Sequence, residues 1–285
     1  MIMNNTFNFN RFGKVLVADC RKYYRNFGIT LAILSGLTLV LWLLTLIFDF
    51  TMPTMARWGL IYVAVFLACI MVPAKVFGDI NLQREGVRFA MLPASNLEKF
   101  LSYILFCLLT PVVVLLLSWG VDSLLTALPF GGFTHYIKSF RLVDIVENFA
   151  IEIGDMTEAD MTGEEYESFR TFADVFGPRY HINAIIGIIF SVGLFMFGNL
   201  LFKTHKTAKT LACMIGISYV ISMLTQLFLV SSKIYPWLQE HAEQLEISDV
   251  TGLVSSTMTF SIILNVVLTI GLYIGLYFKL KTQKY

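Results

Sequence analysis

The side chains best able to do chemistry in this 285-residue chain are its histidines, its carboxylates and one short cluster of mixed charge. The four histidines, His135, His181, His205 and His241, stand far apart, and neither a His-Glu-x-x-His nor a Gly-x-Ser-x-Gly pattern occurs. Zinc-protease and serine-hydrolase chemistry therefore lack their groups. No Gly-x-x-x-x-Gly-Lys-[Ser/Thr] cradle is present, and without those backbone amides and that lysine a nucleotide phosphate has no holder of this kind. Leu34-Ser35-Gly36 lies inside an apolar run and is not read as a nucleotide signature. The chain reads as a non-enzyme without a cofactor or metal.

Between residues 138 and 181 ten carboxylates, Asp144, Glu147, Glu152, Asp155, Glu158, Asp160, Glu164, Glu165, Glu167 and Asp174, face four basic residues. Such a segment belongs in water. It fails as a calcium loop, because the sixth position counted from Asp155 is Asp160 where the turn needs glycine. Thr162 and Glu165 have capping-box spacing, and Tyr166, Phe169, Ala173 and Phe176 form a stripe that predicts a short amphipathic helix in this loop.

What must position these groups is a membrane. Six stretches carry no Asp, Glu, Lys or Arg: residues 26–48, 58–74, 100–121, 182–202, 210–232 and 250–278. Crossing a hydrocarbon core takes about 20 apolar helical residues. Hydrophobic residues make up 56% of the chain and charged ones 14%, so one six-span membrane domain over 1–285 accounts for nearly everything. The predicted fold class is all-α, a polytopic membrane protein. The shortest run ends at Lys75, which can reach for headgroups. The first run exceeds a signal-peptide core and lacks a small-x-small cleavage site, so it reads as an anchor.

With an even number of spans both termini share a side. If that side is the cytoplasm, fifteen of the 21 basic residues flank spans on the inside, which is the distribution that membrane insertion favours. The near-neutral total of +1 conceals this polarity, and no basic patch interleaved with aromatics points to nucleic acid. The cysteines, Cys20, Cys69, Cys107 and Cys213, avoid the outer loop and form no paired spacing; they read as small apolar residues.

Asp122 is the only acidic residue that could lie within a span. It lies 23 residues past Lys99, about 34 Å along a helix, which predicts a solvated carboxylate at the outer headgroups. Carboxylates buried within spans are often proton or cation sites, which is the competing reading. In the spans themselves Ser218, Ser222, Thr225 and Gln226, and then Thr257, Ser261, Asn265 and Thr269, recur at helical spacing. They are candidates for a translocation face, against the reading that they are interhelical hydrogen-bonding glue beside a Gly271-x-x-x-Gly275 contact.

Inside, residues 1–27 carry Phe9, Phe12, Leu16, Cys20, Tyr23 and Phe27 on one helical face, with Arg11, Lys14, Arg21, Lys22 and Arg25 opposite. That pattern predicts an amphipathic helix lying in the membrane interface. The cytoplasmic loop 79–99 is the most specific segment. Arg84, Glu85 and Arg88 display charge around Gly86, Pro93 interrupts any helix, and Ser95 with Glu98 makes a capping box that starts the third span.

This element, Arg-Glu-x-Gly followed by Leu-Pro-x-Ser and Glu-Lys, resembles the first cytoplasmic loop of type-2 ABC exporter permeases over Arg84 to Leu101. The resemblance implies that Arg84, Glu85, Arg88, Pro93, Ser95 and Glu98 couple to a separate ABC ATPase subunit. It implies a homodimer or heterodimer of permeases, surrounded by lipid in a bacterial inner membrane, with both termini cytoplasmic. The acidic outer loop, placed at 130–181, is longer than in many members, and a short outer loop follows at 233–249. A second reading makes the chain a non-transporting sensor or immunity protein whose acidic loop binds a ligand. A secondary transporter is disfavoured by the lack of an intramembrane acid and of an internal repeat.

Overall fold

The computed structural model describes residues 7–80, 91, 94–133, 136–137, 164–231 and 247–282. Six long helices follow in chain order: α1 Phe9–Phe48, α2 Thr54–Ile80, α3 Asn96–Thr126, α4 Glu164–Leu201, α5 Lys206–Ser231 and α6 Ile247–Thr282. Each contains a stretch long and apolar enough to cross a membrane, so among the described residues the all-helical expectation is met and each charge-free run falls, to within a residue, in a helix able to span.

Two boundaries differ from expectation. The anticipated interfacial helix and the first span are one helix of 40 residues, about 60 Å long and twice the hydrocarbon thickness. Its charge pattern changes near residue 26, but nothing breaks its backbone: no proline lies between Phe9 and Phe48, and isolated glycines cost only about 1 kcal/mol each. Asn8 caps the start, its Oδ1 accepting from the amides of Asn10 at 2.9 Å and Arg11 at 3.4 Å. Asp49, in the left-handed region at φ 49°, ends it. Of the predicted apolar stripe, Tyr23 is buried, Phe12, Leu16 and Phe27 are half-buried, and Phe9 and Cys20 are exposed. That face packs on protein at Tyr23 and Phe27, whose rings meet Phe106.

Likewise, the amphipathic stretch before the fourth span is no separate short helix. It runs on through Pro178 as the first part of α4. Thr162, the predicted cap, lies outside the described residues.

Helices α1 and α3 run parallel and touch along their length, from Asn8 against Glu98 at one end to Trp42 against Leu125 at the other. Between those ends Leu34 packs with Val114, together with Ala64, Val65 and Ala68 of α2. Cys69 and Cys107 lie in the largest apolar cluster, with Tyr103, Val192, Met196 and Leu276, and so behave as small apolar residues. Lys75, rather than reaching free into headgroups, donates from Nζ to Thr30 Oγ1 at 3.1 Å and ties α2 to α1.

In the second half α4 and α6 pair closely. Asn265 Nδ2 donates to Asn183 Oδ1 at 3.0 Å, and Tyr273 donates from its hydroxyl to the Ile189 carbonyl at 3.0 Å. The close approaches sit on α4. A Cβ on Gly193 would fall 2.7 Å from the Tyr273 ring, and one on Gly198 would overlap the Thr210 side chain of α5. A Cβ on Gly271 would meet nothing within 4 Å and one on Gly275 would meet Phe197 at 3.9 Å, so among the described residues Gly271-x-x-x-Gly275 makes no close backbone approach to another helix. Most of α5 is exposed, with Ile215, Tyr219 and Met223 among its outward side chains.

These glycines give a discriminating test. Gly198→Ala is expected to lower the thermal midpoint in detergent through an overpacking cost of about 1–3 kcal/mol, whereas Gly271→Ala, in open space, should leave it unchanged or slightly raised. Equal responses of the two variants would contradict the packing described here.

Candidate functional site

The capping box predicted from Ser95 and Glu98 is present. Ser95 Oγ accepts from the Glu98 amide at 3.3 Å, and Glu98 Oε2 accepts from the Ser95 amide at 2.9 Å. It begins α3 because those two amides have no helical partner of their own.

The other carboxylate oxygen does more. Glu98 Oε1 accepts from the Asn8 amide at 2.8 Å and from Arg11 Nη2 at 2.9 Å. Glu98 is fully buried, while the Arg11 side chain keeps about a third of its surface exposed. One residue thus closes the last turn of the connection out of 79–99, starts α3 and seizes the first turn of α1. Charge-assisted bonds of this kind contribute about 1.5–3 kcal/mol each.

One turn further along α3, Ser102 donates from Oγ to the buried Asp19 Oδ2 at 2.7 Å, with Lys99 also buried nearby in sequence. Two acidic side chains of this end are therefore held inside protein against α3. Of the six expected coupling residues, Ser95 and Glu98 are placed in this junction; Arg84, Glu85, Arg88 and Pro93 lie outside the described residues.

The opposite end of the same helices holds a second polar node, and it corrects the expectation for Asp122. That carboxylate is not solvated at the headgroups but fully buried, as is its partner Arg57. Arg57 Nη1 donates to Asp122 Oδ1 at 3.2 Å, to Oδ2 at 3.1 Å and to Thr126 Oγ1 at 3.0 Å. Its Nη2 donates to Thr54 Oγ1 at 3.4 Å, and its guanidinium lies 4.6 Å from the Phe133 ring centroid.

The cover that excludes water is the segment after α3. Met52 donates from its amide to the Gly132 carbonyl at 2.8 Å, Gly132 donates to Thr45 Oγ1 at 3.0 Å, and Trp119 donates from Nε1 to the Ile137 carbonyl at 3.0 Å. Gly131, at φ 102°, brings this backbone against Trp42 where a Cβ would collide with the indole nitrogen. Sequence reasoning missed the pair, yet a signal existed. Arg57 opens the second uncharged run and Asp122 closes the third, so two antiparallel spans must bring them to one depth.

The candidate translocation residues are not brought together. Asn265 is engaged with Asn183 and Ser261 is half-buried on the same helix, while Ser218, Ser222 and Gln226 are exposed on α5. Asn265 therefore acts as the interhelical glue that was the competing reading.

Fold and site define, over the described residues, an all-helical chain with six helices able to cross a membrane, in which buried charge ties α1 to α3 at one end and α2 to α3 at the other. No family model, curated protein or solved structure matches it.

The buried pair predicts a specific pattern of stability. Asp122→Leu or Arg57→Met alone leaves an unpaired buried charge and should cost about 3–5 kcal/mol, whereas the double variant should regain most of that loss. Thermal or denaturant unfolding in detergent checks this; additive losses in the double variant would mean the two charges do not depend on each other.

Proposed function

We propose that this chain is the transmembrane permease subunit of an ATP-driven ABC exporter in a bacterial inner membrane, with both termini cytoplasmic and a separate ATPase docked beneath the loop 79–99. The observation that carries this reading is the Glu98 junction, in which the end of that loop, the start of α3 and the start of α1 share one buried carboxylate. A push on Arg84, Glu85 or Arg88 reaches Glu98 within about ten to fourteen residues of chain and from there moves two spans together.

The mechanism is conformational. ATP binding on the partner draws the loop inward, the junction transfers that displacement to α1 and α3, and the bundle shifts between inward and outward access. Nucleotide and cargo bias the equilibrium only through different affinities for the two states.

A second permease copy completes the unit. Ser218, Ser222 and Gln226 fall on one face of α5 at four-residue spacing and are exposed in the single chain. Polar side chains turned to hydrocarbon are costly, and a neighbouring helix or a watered route between two copies relieves that cost.

Affinity purification from native membranes, with identification of bound polypeptides, tests the reading. Wild type should retain an ATPase, the Arg84→Glu/Glu85→Lys double reversal should lose it, and Glu98→Gln should keep it while transport-coupled hydrolysis falls about tenfold or more, the factor expected for one charge-assisted bond. Absence of any ATPase from the wild-type complex would defeat the proposal.

A further inference from the structure

The helices fall into two packed groups, α1 with α2 and α3, and α4 with α6, joined mainly along α2 and α4. On the other side α3 and α6 touch little, and an open groove of about 500 Å³ lies between them at the Glu98 end. Leu97 and Phe100 of α3 form one wall, and Ile270, Tyr273, Ile274 and Phe278 of α6 form the other. The exposed groove surface is wholly apolar, and its size is that of a small-molecule site.

Charge sits at one end of it. Ile270, Ile274 and Phe278 succeed one another every fourth residue, and Lys281 continues the same helical face one turn on. Lys281 is exposed and has no acidic partner among the described residues; from Val250 to Tyr285 the sequence contains lysines at 279, 281 and 284 and no carboxylate side chain. An apolar trench in the hydrocarbon layer that terminates in an uncompensated cation at the headgroup level matches one ligand chemistry, an acyl chain carrying an anionic headgroup.

We propose that the α3/α6 groove is a binding site for an anionic phospholipid, with an acyl chain between Phe100 and Ile274 and the phosphate at Lys281. The lipid lies beside Leu97, the neighbour of Glu98. It therefore wedges the seam at which the two helix groups can move against each other, and lipid composition becomes a regulator of that movement. This inference needs the six-span membrane placement but not the ATPase partner, so it stands or falls separately from the proposed transport role.

Native mass spectrometry of the delipidated full chain, titrated with phosphatidylglycerol or phosphatidylcholine, decides the matter. Wild type should bind phosphatidylglycerol about fivefold more tightly, the factor equivalent to about 1 kcal/mol for a basic residue at an anionic headgroup. Lys281→Gln should abolish that preference, and Ile274→Trp, which fills the trench from an exposed position, should weaken both lipids. Lys203→Gln, a control on the α4 to α5 turn, should preserve the preference. Equal binding of the two lipids by wild type overturns the proposal, as does a preference that survives Lys281→Gln. An Ile274→Trp variant that keeps its lipid but dissociates a dimer assigns the groove to a second copy instead.

Discussion

Glu98 has no contact with solvent, and a buried carboxylate keeps its charge only while donors surround it. Three do: the amides of Asn8 and Ser95 and the guanidinium of Arg11. Because these donors come from two segments some 90 positions apart in the chain, satisfying one carboxylate fixes the relative placement of α1 and α3. The remainder of that half follows from the register so imposed: Asp19 reaches Ser102, Tyr23 reaches Phe106, Leu34 reaches Val114, and Trp42 reaches Leu125.

The far end repeats the logic with the signs arranged differently. Arg57 comes from α2 and Asp122 from α3, so this node binds the third member of the group to the pair already joined by Glu98. The cost of desolvating both ions is offset to the extent that their donors and acceptors are matched, and Thr54, Thr126 and the Phe133 ring supply part of that matching. Buried ions are poor sources of stability but strong selectors of register, since any slip of α2 along α3 would strand both charges. The second group is joined by neutral contacts at its described interhelical bonds. Asn183 with Asn265 and the Tyr273 hydroxyl, neutral bonds of about 1 kcal/mol each, join α4 to α6, and α5 rests on α4 at Gly198. Rigidity is thus unequally distributed, with the ion-pinned helices forming the firmer part.

Several of these features were legible in the residues. Uncharged runs identify spans because charge in hydrocarbon is so expensive that its absence over twenty positions is informative. The Ser95 and Glu98 box was readable because a cap is local, with both partners within three positions. What distant residue would use the second oxygen of Glu98 was not, since nothing local to Arg11 or Asn8 distinguishes them from other members of a basic segment. For Asp122 the arithmetic of helical rise gave depth along an axis and said nothing of sideways neighbours. Its burial depends on Arg57 and on a cover built by Gly131, Gly132 and Phe133. At α1 the change from basic to apolar composition looked like a structural boundary, but composition sets which solvent a helix prefers, and only backbone breakers end it.

That continuity of α1 has a mechanical meaning. A helix of 40 residues is about 60 Å long, and its charge-free part begins only at Asn26, so its outer half carries charged side chains and its inner half does not. The outer half is held at Arg11 and Asp19, the inner half at Leu34 and Trp42. With no proline in α1 and with contacts to α3 from Arg11 to Trp42, a displacement imposed near Arg11 is carried along the helix toward Trp42. If α1 and α3 were clamped to each other alone, such a displacement would carry both without altering the bundle. Because Arg57 also anchors α2 to α3, the moving body has three helices, and the slack appears where it meets the second group, least resisted along the sparsely packed seam between α3 and α6.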